Sequence, residues 1–230
     1  MLRPRFLAVL FACLALASTS LVGAAQTPSA SAVPPIDELE GIQAGVSRTF
    51  VQDVESLLAA TPDLDLEDVF RGLLSATVTV LEFDNADNAA TAYDVTSQGV
   101  AADLPALAQD STPEVSTGEI ADIGTRASYA SLHTATSDEF EAWLEYVTVQ
   151  RDNYVIIVWS LTSVEADAGL ATSIAAWVAE NGQPDGEEAI FAADGGSSGG
   201  LWGFMPPTGD AVLKGLIPVT DEVLYPAPGS

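Results

Sequence analysis

Residues 140–161 read FEAWLEYVTVQRDNYVIIVWSL, and their reading decides the fold. Phe140–Gln150 and Tyr154–Leu161 are rich in β-branched and aromatic side chains, which fit the pleated, half-buried surface of a strand. Between them Asp152-Asn153 supplies residues that tolerate positive φ, as a tight hairpin turn requires. The second arm, YVIIVWSL, is apolar on both alternating faces, which predicts a central strand.

Working outward, Val115–Ile120 and Ala127–Leu132 read as two short strands joined by the turn Asp122-Ile123-Gly124. Further upstream Ala76–Phe83 (ATVTVLEF) is a strand by the same reasoning. Asp84 or Asn85 then caps a helix whose inner face is Ala89, Tyr93, Val100 and Leu104. On the C-terminal side, Ser163 is the expected cap of a helix that turns Leu170, Ile174, Trp177 and Val178 inward. Glu165 and Asp167 suit its positive N-terminus, and Asn181-Gly182 ends it. Thr61-Pro62 starts another helix, with Leu66, Val69, Phe70, Leu73 and Leu74 at helical spacing. Segment 45–60 fits either class: Val46, Phe50, Val54, Leu57 and Leu58 lie on one helical face, yet Val46–Val51 reads equally as a strand.

Hairpin-linked strands with segregated helices mean an α+β fold. The expectation is an antiparallel sheet of about five strands with two or more helices packed on one face, plus an irregular C-terminal extension. The domain itself runs over 37–182, and 183–230 is the Gly/Pro-rich extension, strapped to it. Pro206, Pro207, Pro218, Pro226 and Pro228 forbid a long helix there.

Residues 1–25 read MLRPRFLAVLFACLALASTSLVGAA, an export signal: Arg3 and Arg5, an apolar run from Phe6 to Ala17, then small residues. Cleavage is expected near residue 24 or 25, which places the protein outside the cytoplasmic membrane. Leu10-Phe11-Ala12-Cys13 is a distorted lipobox. Cleavage there would leave the apolar stretch Leu14–Ala17 on the mature chain, so the lipoprotein reading is the weaker one. A Pro/Ser/Ala linker, 26–36, follows.

The chain carries 7 basic and 33 acidic residues, one histidine and one cysteine. Setting aside Arg3 and Arg5 leaves five basic against 33 acidic groups, a balance of −28. Such a charge repels phosphate backbones and anionic membrane surfaces, so neither nucleic acid nor an anionic bilayer is an expected partner. A Cys/His zinc site and a disulfide framework are excluded by count. No phosphate-binding glycine loop occurs, and no cofactor is implied.

Gly195-Gly196-Ser197-Ser198-Gly199 matches the G-x-S-x-G pattern in letters. The following Leu201–Pro207 cannot begin the helix that a nucleophile elbow needs, and His133 precedes the serine instead of following it. A low-complexity linker is the better account. His133, near Thr134 and Thr136, has no recognisable nucleophile partner and reads as a half-exposed structural histidine. No pair of carboxylates stands out for glycoside hydrolysis. Trp159 and Trp177 fall on buried faces by periodicity, which favours packing over sugar stacking. Asp63–Asp68 and Asp84–Asn88 leave room only for weak calcium binding, since both lack the glycine and distant glutamate of an EF-hand loop. Both also sit where helix starts want acids. Thus no catalytic and no metal-ligating residue is assigned.

Gly200–Pro226 is apolar for a loop. It either packs across the sheet or serves as a docking segment for a partner, in which case Trp202, Phe204, Leu216 and Tyr225 are the contact residues.

The strand–helix ATVTVLEFDNADNAATAY and the late hairpin–helix EYVTVQRDNYVIIVWSL with ATSIAAWV give an order that resembles small exported bacterial α+β modules. These are the PsbP/LpqN-like group and the extracellular sensor domains of some actinobacterial kinases. The resemblance covers roughly residues 75–182 and carries no functional residue across. It implies an accessory, ligand-binding or sensing module and leans against catalysis. The expected function is therefore a non-enzymatic binding or sensing domain, exported, with an unknown protein or small molecule as partner. The alternatives are a small secreted hydrolase using carboxylates and a structural surface protein.

Overall fold

The computed structural model describes residues 39–53, 74–104, 114–137, 140–184 and 200–225. The export signal, the linker, the helix expected after Thr61-Pro62, the run Asp63–Asp68 and Gly195–Gly199 lie outside them. The described residues include seven strands: β1 (Ile42–Gln52), β2 (Leu74–Phe83), β3 (Glu114–Ile120), β4 (Arg126–Ser137), β5 (Phe140–Arg151), β6 (Tyr154–Thr162) and β7 (Leu216–Tyr225). Among the described residues two α-helices join them, α1 (Ala86–Asp103) and α2 (Leu170–Asn181). The strands form one antiparallel sheet in the order β3-β4-β5-β6-β2-β1-β7.

The hairpin expected over 140–161 is β5–β6, with Arg151 opposite Tyr154 and Asp152 at φ 54°. β6 lies at the middle of the sheet. Ile156 and Val158 turn to one face and pack with Val78, Val80, Val147 and the α2 residues Ile174 and Val178. Val155 and Ile157 turn to the other and pack with Leu81, Phe83 and the α1 residues Ala89 and Tyr93. The two helices therefore cover opposite faces, and the expectation that they share one is corrected. A strand apolar on both faces needs cover on both.

The expectation of about five strands is also corrected, to seven. β1 comes from the segment that fitted two classes. Val46 and Phe50 are four residues apart, an even spacing that keeps them on one face of a strand as well as of a helix. Both are buried in the core under α2. β7 comes from the extension expected to be irregular. Pro218 forbids a helix but not an edge strand, where a missing N–H can face outward. β7 pairs with β1 from Leu216 opposite Gln52 to Tyr225 opposite Gly45, with two register shifts. Ahead of it, 3-10 turns at Leu201–Phe204 and Ala211–Leu213 insert Leu201, Phe204 and Leu213 into the α2-side core, together with Met205 and Leu216.

The helix starts differ from each other. Asn85 caps α1 as expected, its side chain accepting from the Asn88 N–H at 2.9 Å. Asp84 accepts from the side-chain amides of Asn85 and Asn88, both at 2.8 Å. The expected inner face of α1, Ala89, Tyr93, Val100 and Leu104, is buried. Ser163 does not cap α2. A 3-10 turn at Glu165–Asp167 intervenes, and α2 begins after Gly169, which has no side chain to offer. Strand residues cap it instead. The Ala171 N–H donates to Ser160 Oγ at 3.2 Å, and the Thr172 N–H donates to Glu145 Oε2 at 3.1 Å. Two of the helix's orphan donors are thus satisfied from the sheet below.

Candidate functional site

The antiparallel register sets His133 of β4 opposite Glu114 of β3 and opposite Trp143 of β5, on the α2 face. Near this end of the sheet α2 no longer covers the strands, because Glu145 and Ser160 already hold its first turn. The uncovered surface is a shallow cleft of about 380 Å³. Glu114, Tyr129, His133, Trp143 and Glu145 form its polar and aromatic lining, with Ser116 and Ser131 between them.

His133 lies flat on Trp143, ring centres 4.8 Å apart and planes 7° from parallel. Its Nδ1 is 3.6 Å from Glu114 Oε2 and its Nε2 3.5 Å from Glu141 Oε2. Nε2 is buried and makes no hydrogen bond. Tyr129 sits over Gly118, its partner across the β3–β4 ladder. A Cβ at 118 would lie 2.8 Å from Tyr129 Cε1, so glycine here admits the ring. The Tyr129 hydroxyl lies 3.3 Å from Ser116 Oγ.

Glu145 is buried, with both oxygens engaged by Thr172: Oε2 by the N–H and Oε1 by the hydroxyl at 2.7 Å. Burial pushes its carboxyl above the ordinary glutamate value, and the Thr172 bonds partly offset this. It anchors the first turn of α2.

The chemistry available follows. His133 has two carboxylate neighbours. What the cleft presents is negative charge, aromatic surface and hydroxyl groups, a lining that suits a cation. None of the four described basic residues lines it. Arg48 pairs with Asp221 at 2.6 and 2.7 Å. Arg126 is divided among Asp94, Gln150 and the Ala90 carbonyl, with its guanidinium 4.2 Å above the Tyr93 ring. Arg151 donates to the Gly182 carbonyl, and Lys214 pairs with Asp167. A second depression beside the β3–β4 turn, about 440 Å³, contains Arg126 and is built around that strut.

The residues expected to touch a partner do not share a surface. Phe204 is buried, its ring centre 4.9 Å from that of Tyr154, and Leu216 is buried in the same core. Trp202 is half-buried with the Arg48 guanidinium 5.0 Å from its ring centre. Tyr225 is half-buried at the α1 face. The acidic stretch Asp84–Asn88 is occupied by capping. Among the described residues no group of three His, Cys, Asp or Glu is placed to hold a metal ion. The cleft escaped sequence reading because its members come from three strands. Tyr129, Ser131 and His133 do stand at alternate positions, as do Trp143 and Glu145, but only the register joins the two sets.

These features define a class: a seven-stranded antiparallel-sheet domain covered by helices on both faces, with an open acidic and aromatic cleft at one end. No protein-family model matches the chain, and no curated protein matches it. Among solved structures, it is similar to the extracellular domain of PknH from Mycobacterium tuberculosis, at 11% identity and a TM-score of 0.30. That likeness spans 67% of this chain and 95% of that one. It is too distant to carry a residue role or an activity. No helix among the described residues is long and apolar enough to cross a membrane.

Proposed function

We propose that this chain is an exported, non-enzymatic binding or sensing domain that acts outside the cytoplasmic membrane, with the cleft over β3, β4 and β5 as its binding surface. The observation that carries the reading is the state of the cleft's two chemically capable groups. His133 is set between carboxylates with no nucleophile beside it, and both oxygens of Glu145 are committed to α2. Such a lining can hold a ligand without converting it. The export-signal pattern of residues 1–25, with cleavage expected near 24 or 25, supports the location. The resemblance of the element order to PsbP/LpqN-like modules supports the same lean.

The test is an activity screen of the purified mature chain against esters, glycosides and peptides, run beside His133→Ala and Glu145→Gln. No turnover is expected from any of the three. Turnover by the natural chain that either substitution abolishes would establish the hydrolase alternative instead.

A further inference from the structure

The two edges of the sheet are built differently. β7 is blunted: it carries Pro218 and its ladder with β1 shifts register twice. Proline and bulges are how proteins discourage a new strand from adding to an edge. β3 has neither. Its sequence is EVSTGEI, its seven residues pair with β4 in unbroken register, and among the described residues nothing pairs with its outer side. Five of the seven residues are exposed, Val115 among them. An edge strand of this kind presents a row of unpaired N–H and C=O groups.

From the outer edge of β3 the cleft lies immediately inward. Glu114, Ser116 and Gly118 share the α2 face with Tyr129, Ser131 and His133. Tyr129 leans across Gly118 toward that edge. A strand added beside β3 would place every second side chain on this face, next to Glu114 and the Tyr129 hydroxyl. Its other side chains would lie beside Val115, Thr117 and Glu119.

We infer that β3 takes up an extended, basic peptide segment of another protein as an eighth strand, with Lys or Arg side chains at alternate positions directed into the cleft. This rests on the cleft being the binding surface and adds the class of partner. Charge selects the occupant. With a balance of −28 on the mature chain, a second copy is repelled. The described Lys and Arg side chains are engaged elsewhere, so the cleft carboxylates Glu114 and Glu141 have only His133 as a described neighbour of opposite sign. The backbone supplies the pairing, and the acids choose a basic sequence over a neutral or acidic one.

The probes are acetylated eight-residue peptides, (Lys-Thr)4 and (Arg-Val)4. Each is paired with a form N-methylated at every second residue, which keeps the charge but removes strand pairing. (Glu-Thr)4 and spermidine serve as controls. Binding to the mature chain is followed by amide hydrogen exchange across β3 and by amide shifts of Tyr129, His133 and Trp143. Saturable binding of at least one basic peptide is expected, with slowed exchange in β3, at least tenfold weaker binding of its N-methylated form, and none of (Glu-Thr)4. Glu114→Gln with Glu141→Gln should weaken the peptide severalfold without changing exchange in the free protein.

Equal binding of the N-methylated form, or spermidine shifting the cleft amides while no peptide slows β3, would overturn strand addition but leave the cleft as a binding surface. Protection of the β3 amides that face away from β4, in the free chain at low concentration, would mean that its own residues already cover the edge, and would overturn the inference. Protection that appears only as concentration rises would assign the edge to a second copy, with the same consequence. If no probe moves the cleft amides, both readings fail.

Discussion

Glu145 shows how one side chain ties the sheet to the site. Its burial raises the carboxyl's affinity for a proton in the folded state. Between the ordinary value and the raised one, the folded chain holds more proton than the unfolded chain, so this group's contribution to stability falls as pH rises through that window. Glu145→Gln should flatten the slope, seen by urea unfolding of both proteins from pH 4 to pH 7. Equal slopes would show that Glu145 titrates as it does in the unfolded chain. At Gly118 the effect is steric. Gly118→Val should push Tyr129 off the β3 edge, detectable as loss of its ring contacts to residue 118, and should weaken peptide binding with little loss of stability. Asn85 as a cap was legible from residue type alone. The capping of α2 by Glu145 and Ser160 was not, because Glu145 precedes its partner Thr172 by 27 positions and Ser160 precedes Ala171 by 11, and they meet only through packing.

At the scale of elements, the hairpin β5–β6 was legible because its turn and its patterning agree. The two strands beyond the expected five were hidden for separate reasons: an even spacing shared by two periods left β1 open between helix and strand, and a proline hid β7. The segment 200–225 is held by three kinds of contact. Five of its apolar side chains are buried in the α2-side core. β7 is laddered to β1. Arg48, Arg151 and Lys214 bind it or its flanks through Asp221, the Gly182 carbonyl with the Phe204 ring, and Asp167. Burying a large apolar side chain contributes about 1.5–3 kcal/mol. Losing five is comparable to the whole net stability of a domain, about 5–15 kcal/mol. Truncation after residue 199 should therefore abolish the cooperative unfolding transition. Phe204→Ala should cost about 3–5 kcal/mol. Asp221→Asn should cost only about 0.2–1 kcal/mol, since its partner pair is partly open to solvent. A truncated chain that still unfolds cooperatively would mean that the segment is an appendage, and would return the docking role to Trp202, Phe204, Leu216 and Tyr225.

For the whole molecule, charge acts on stability and on binding in opposite directions. Self-repulsion in a chain of −26 is screened by salt, so the melting temperature should rise from ~10 mM to ~0.5 M salt, where the screening length falls from about 30 Å to a few ångströms. Attraction to a basic partner is screened by the same ions, so affinity should fall over that range. The most direct test of the account is an amide shift map of the whole mature chain titrated with the basic peptides. The expected changes are confined to β3 and to Tyr129, His133 and Trp143, with β7 and 200–215 unmoved. Changes centred on Trp202 and Tyr225, with the cleft silent, would contradict it.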